Sequence, residues 1–292
     1  MKPNPQLGKV TFLDAQGDLP ALEVTTPWSR AEVYLHGAHV TQFQKHGEPP
    51  LLFLSQCSRF ENGAPIRGGI PIIFPWFGKP ADKPGQHGFV RIRDWELAEI
   101  TSPADGSVIV RLRLEVGREI PEGSDCAVEY VVTVSDTLSA ELIVTNKSAQ
   151  KFGFENCLHT YFTVGDIGAV TVCGLKGVDY LDSLEGRQRK TEATEAIRFT
   201  GEVDRIYINT PHATEIRDES LRRVIRIEKE HSLATVVWNP WIAKSKAMPD
   251  FGDDEYQRMV CVESGNVAVN ELTLLPGESS RLKVKISSGA LS

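Results

Sequence analysis

The chain has 292 residues, a formal net charge of -7 at pH 7 and 41% hydrophobic residues, enough for a large buried core. An acidic balance excludes a general binder of nucleic acid or anionic membrane, which carries a basic field, and no run approaches the ~18 uninterrupted apolar residues of a membrane helix. The cysteines Cys57, Cys126, Cys157, Cys173 and Cys261 are scattered without CxxC spacing, which argues against disulfides and a structural zinc site and fits reduced thiols.

From the N-terminus, "MKPNPQLGKVTFLDAQG" lacks the apolar stretch of a secretory signal, so the expected location is cytoplasmic. "ALEVTT" and "AEVYLHGAHVTQFQ" alternate apolar and polar residues as strands do. "SQCSRFENG" is a short helix candidate. The next segment, "ENGAPIRGGIPIIFPWFGKPADKPGQHGFVR", is too long for a hairpin connection and crowded with Gly, Pro and aromatics; it carries Arg67, Gln86, His87 and Arg91. Long structured loops on a β scaffold are where sites tend to lie. "SVIVRLRLEV", "CAVEYVVTVSD" and "LSAELIVTN" return to strands, the first with Ile109, Arg111, Arg113 and Glu115 opposing Val108, Val110, Leu112 and Leu114. The sequon at Asn146 is read as a chance match.

Next comes "KFGFENCLHTYFTVGD", which as one strand places Glu155, Cys157, His159 and Tyr161 on a single polar face. "RRVIRIEKE" and "LATVVW" continue the strand pattern, and "IAKSKAMPDFGDDEYQRM", broken by Pro249 and Gly252, predicts a turn of helix within a loop. "QRMVCVESGNVAV" then drives an apolar strand into the carboxylate of Glu263, and "SRLKVKIS" closes the chain with another strand. No repeat or Pro/Ser linker divides the sequence, so residues 1–292 are expected to form one all-β domain, a large antiparallel sandwich or a barrel.

Candidate chemistry gathers at three places. His159 reads either as an ordinary edge histidine or as a proton carrier in a polar lining. Glu263 reads either as a solvated strand end or, if buried, as a base with a raised pKa. Arg67 and Arg91, beside glycines in one loop, read either as surface charges or as an anion pocket. GxGxxG, Walker and HExxH motifs are absent, which withdraws support for nicotinamide, nucleotide and zinc-protease chemistry. A helical Glu155/His159 metal pair and a Cys157/His159 nucleophilic dyad are minor alternatives.

The blocks "RGGIPIIFPWFG", "QHGFVR", "FENCLHTYF", "VDRIY", "VVWNPWIAKSKAMPDFGDDEYQRMVCVESGNV" and "LLPGESSRLKVKI", in this order over nearly the whole chain, resemble the aldose 1-epimerase (galactose mutarotase-like) superfamily. Within it they resemble the hexose-6-phosphate mutarotases, or glucose-6-phosphate 1-epimerases. The resemblance implies a large antiparallel β-supersandwich, with His159 and Glu263 catalytic and Asp204 a sugar ligand. It further implies Arg67, Gln86 and Arg91 around a phosphorylated sugar, and His87 as a second sugar-contacting histidine. The expected activity interconverts hexose 6-phosphate anomers with Glu263 as base and His159 as acid, without metal or other cofactor. An epimerase of free hexoses, or a non-catalytic sugar-phosphate binder, is the alternative. The expected partner is a small-molecule substrate, the expected state a monomer.

Overall fold

A computed structural model describes residues 8–117 and 125–291; the first seven residues of the N-terminal stretch read above lie outside them. Two large antiparallel sheets dominate. One has nine strands, in spatial order Ala196–Arg198, Val170–Cys173, Thr214–Asp218, Arg223–Glu230, Ser279–Ala290, Leu138–Asn146, Cys126–Val134, Val108–Val116 and Glu96–Thr101. Its long hairpins follow directly from the alternation in the sequence: along Cys126–Val134 every second residue, from Cys126 through Tyr130 to Val134, is buried.

The second sheet has Gln188–Thr191, Asp179–Asp182, Val203–Ile208, Ala234–Asn239, Met259–Asn266, Asn156–Leu158 and Ile72–Ile73 in order, with Tyr161–Thr163 pairing beside Met259–Asn266. Its core face carries Tyr207, Val237, Val260 and Val262, which join Val128, Tyr130, Ile225, Leu282 and Val284 of the nine-stranded sheet in one buried cluster. A meander of four strands from Lys9 to Lys45 adds Leu22, Val24, Val33 and Val40 to the same cluster. The all-β sandwich expected from the strand pattern is therefore the architecture found.

Three local expectations change. The 151–166 stretch is not one strand. Phe152–Phe154 pairs with Leu272–Leu274, whereas Asn156–Leu158 and Tyr161–Thr163 both pair with Met259–Asn266. Between the last two the ladder is interrupted, because the His159 N–H donates to Pro71 O and the Thr160 N–H to Leu158 O. The "SQCSRFENG" stretch forms turns rather than a helix. There Ser55 Oγ and the Gln56 N–H both donate to the Glu255 carboxylate, and Ser58 Oγ accepts from the Arg67 N–H, so side-chain bonds compete with a helical ladder. The 242–259 stretch holds two helical pieces rather than a single turn, most of an α-helix at Trp241–Ala247 and a 3-10 turn at Glu255–Arg258, on either side of Pro249 and Gly252. Asn146 is fully buried with its amide donating to Gln150 O and Leu274 O, so it is no glycan acceptor.

Candidate active site

Strand register alone brings distant residues together. Asn156–Leu158 and Tyr161–Thr163 share one register against Met259–Asn266, Leu158 opposite Ser264 and Tyr161 opposite Cys261. Counting through the interruption between them sets His159 across from Glu263. On the far side of the same strand, Val236 lies opposite Glu263 and Trp238 opposite Cys261, while Asp204 lies opposite Trp238 in turn. Same-face alternation across three adjacent strands thus lays out Asp204, Trp238, Glu263 and His159 as the floor of one cleft.

His159 Nδ1 lies 3.3 Å from Glu263 Oε1, within ion-pair range, yet the geometry is not that of a hydrogen bond and Nδ1 has no hydrogen-bond partner among the described residues. The imidazole stacks on Tyr161 at 4.7 Å and meets the edges of His87 and Trp238. His159 is 7% exposed and Glu263 1%, so neither is a solvated strand end. Burial, helped by His87, Arg67 and Arg91, pushes the imidazole well below its ordinary value. Burial, helped by Asp204 and opposed by the Cys157 hydrogen bond and Arg91, pushes the Glu263 carboxyl well above its own. An acid role for His159 would be served by an imidazolium, but desolvation and the nearby cations disfavour that form. Both shifts favour a pair that holds one proton as neutral imidazole plus carboxylic acid. The ion pair is the same assembly with that proton moved.

Cys157 donates from Sγ to Glu263 Oε2 at 3.5 Å, and burial first and Glu263 second push its thiol well above the ordinary range. A protonated thiol is no nucleophile, which removes the dyad alternative. Glu155 spends its two carboxylate oxygens on the N–H groups of Phe77 and Ala268, so it braces loops rather than completing a metal pair with His159.

The long loop supplies the rim. Gly68 and Gly69 have φ of +122° and +60°, and a Cβ on Gly69 would fall 2.2 Å from Val40 O. Only glycine turns the chain there, which delivers Arg67 to the cleft mouth. Arg67 donates from Nη1 to Tyr161 Oη at 3.0 Å and from Nε and Nη2 to Asp250 Oδ2 at 3.2 and 3.0 Å. The Gly78 N–H donates to His87 Nδ1 and the His87 N–H to Gly78 O, a two-bond clasp that aims the His87 ring at His159, while the Gln86 amide lies 3.0 Å from His87 Nε2.

A cavity of about 480 Å³, lined among others by Arg67, Gln86, His87, His159, Asp204 and Glu263, unites six of the seven residues singled out in the sequence. The volume suits a small-molecule ligand, since such sites run roughly 300–1,000 Å³. Arg91 is the exception. It is buried behind the rim, donates to Gln86 O at 2.8 Å and does not line the cavity. Sequence reasoning missed Trp238, Arg187, Lys244 and Asp250 on the wall. Trp238, Lys244 and Asp250 sit inside a block already quoted for its resemblance. Arg187, in a turn of no special composition, gave no signal; its N–H donates to Asp182 O, while its guanidinium has no ion-pair or hydrogen-bond partner among the described residues and faces the cavity unneutralised.

Comparison with known proteins places the chain. The aldose 1-epimerase family pattern matches residues 20–287. A Cenchrus ciliaris protein, provisionally named a glucose-6-phosphate 1-epimerase, is 38% identical over 88% of this chain and 80% of its own. An Escherichia coli protein with the same provisional name is 34% identical over 85% and 83%. The crystal structure of a provisionally assigned mutarotase from Salmonella typhimurium superposes with a TM-score of 0.88 at 30% identity, covering 96% of this chain and 94% of that one.

Proposed function

The chain belongs to the aldose 1-epimerase family, and from this premise we propose that it interconverts the α and β anomers of hexose 6-phosphates, chiefly glucose 6-phosphate. The observation that carries the reading is the apposition of Glu263 and His159 at 3.3 Å under a cavity with cationic side chains at its rim.

Mutarotation removes a proton from the anomeric hydroxyl while giving one to the ring oxygen, so one base and one acid must flank C1 and O5. The Glu263/His159 unit holds one proton between two sites and can supply both functions at once. Glu263, ionised as the proton shifts to His159, takes the hydroxyl proton, and His159 protonates the ring oxygen. The ring opens to the aldehyde, rotation about C1–C2 presents the other face, and the roles reverse on closure. Trp238 offers an apolar edge to the sugar's C–H face, and Asp204, raised by burial and held near Lys244, offers acceptors to its hydroxyls. Arg187 and Arg67 suit the 6-phosphate; Arg91 supports them through Gln86 and by its charge. We also read residues 1–292 as one cytoplasmic, monomeric working unit.

The test is NMR exchange between α and β anomers of glucose 6-phosphate, glucose and galactose with the protein present. Faster exchange of the phosphorylated sugar supports the reading. Equal acceleration of all three would assign a free-hexose epimerase, and none would overturn catalysis.

A further inference from the structure

Beneath the proposed acid and base lies a third donor that the reaction does not use. His159, Cys261 and Glu263 each present one ligating atom, and these atoms lie within 4.8 Å of one another. All three side chains are buried. His159 Nδ1 is a buried nitrogen without a hydrogen-bond partner among the described residues, and it faces Glu263 of this cluster. Its 3.3 Å separation from Glu263 Oε1 is about the spacing that two ligands 2.0–2.1 Å from one tetrahedral zinc ion keep. The cavity adjoins His159 and Glu263, which gives an ion both an entry path and an open coordination position.

We infer that His159, Cys261 and Glu263 form an inhibitory binding site for a zinc-class divalent cation, competitive with the sugar. The donor set of one imidazole nitrogen, one sulfur and one carboxylate oxygen suits a borderline-to-soft ion such as zinc or cadmium. It rejects magnesium and calcium, which require shells of oxygen. On binding, the Cys261 S–H and any proton on the Glu263 carboxyl pass to solvent as the metal–sulfur and metal–oxygen bonds form. The acid/base pair is then occupied by the ion, and no proton remains to move. The ion is here an inhibitor rather than a cofactor, so the site stands beside the expectation of metal-free catalysis.

The inhibition depends on the proposed anomerisation, whereas binding does not, so the two are measured separately. Both use a Cys57→Ser/Cys173→Ser background, which removes the thiols that are not buried. Cadmium titration should show a saturable thiolate-to-metal charge-transfer band that Cys261→Ala abolishes and glucose 6-phosphate displaces. Chelator-buffered zinc should inhibit exchange, with Cys261→Ala retaining basal activity and needing on the order of 100-fold more zinc; magnesium should do nothing. Glu263→Gln, a guard against misfolding of Cys261→Ala, should weaken cadmium binding to a similar degree while leaving the far-ultraviolet spectrum intact. Absence of the band, its persistence in Cys261→Ala, or its loss in Cys157→Ala instead would overturn the assignment. A band without inhibition would overturn the competitive role. A band in a protein that accelerates no anomer exchange would uphold the site and count against the reaction.

Discussion

The same strands of the eight-stranded sheet build two faces with opposite physics. On one, Val237, Val260 and Val262 join residues of the nine-stranded sheet in a mainly apolar cluster, so burial stabilises by roughly 25 cal/mol per Å². On the other, one residue out of phase, Glu263, Cys261, Trp238 and Asp204 meet His159, and burial there shifts proton affinities instead. A groove-facing row that buries an imidazole and a carboxylate beside an incompletely bonded nitrogen contributes little to folding. The difference teaches that the core face secures the register and the cleft face exploits it.

The sharpest way to break that comparison is to cut one residue on each face. Glu263→Gln and His159→Ala should each lower kcat by about 10²- to 10⁴-fold, the usual worth of one positioned proton transfer, with the melting temperature nearly unchanged. Leu282→Ala, in the core cluster at 0% exposure, should do the reverse, costing about 2–5 kcal/mol in urea unfolding with kcat per folded molecule retained. A Glu263→Gln protein that unfolds readily yet keeps wild-type exchange would merge the two faces into one.

Arg187 sharpens the boundary between floor and rim. With no neutralising partner among the described residues, its guanidinium can pair with a phosphate, a charge-assisted contact worth about 1.5–3 kcal/mol. Arg187→Ala should therefore raise KM for glucose 6-phosphate by roughly 10- to 100-fold and leave kcat and the KM for glucose close to wild type. Steady-state rates on the two sugars decide it, and equal effects would remove the phosphate role.

Much of the fold was legible because period-two alternation survives in nearly every strand, as in Cys126–Val134, where the buried residues fall where the pattern puts them. The site was legible in kind but not in partnership. Alternation put Cys157, His159 and Tyr161 on one face, and the shared register confirms it, but a single sequence contains no register between strands about 100 residues apart. Glu155 shows where alternation misleads: a break in the strand beyond Phe154 sends its carboxylate to two backbone N–H groups. Proton affinities were illegible for the same reason: the extent of burial, which decides the sign of the His159 shift, emerges only when the sheets close.

The pH profile tests that sign. The active unit holds one proton. Its acidic limb is the binding of a second proton by His159, which burial and nearby cations push below the ordinary value of about 6.5. Its alkaline limb is loss of the shared proton from Glu263, which burial pushes above the ordinary value of about 4.3. On the acid side activity should fall only below the range of a free histidine, and on the alkaline side only above the range of a free glutamate. Glucose serves as substrate, because a phosphate monoester titrates near pH 6 itself. An acidic limb at or above 6.5 would show an imidazolium stabilised by Glu263.

The smallest effect is expected at Arg91, which lies behind the rim and so separates direct contact from field. Burial first and Arg67 second lower its guanidinium to about 10, so it still carries its charge at neutral pH. That charge lowers both His159 and Glu263. Arg91→Lys keeps the charge and risks only the hydrogen bond to Gln86 O, so KM for glucose 6-phosphate should change by no more than about 5-fold. Arg91→Met removes the charge, and both groups should then bind protons more readily, moving the acidic and alkaline limbs to higher pH together. If Arg91 instead gripped the phosphate, Arg91→Met would raise KM for glucose 6-phosphate selectively and leave both limbs on glucose where they were.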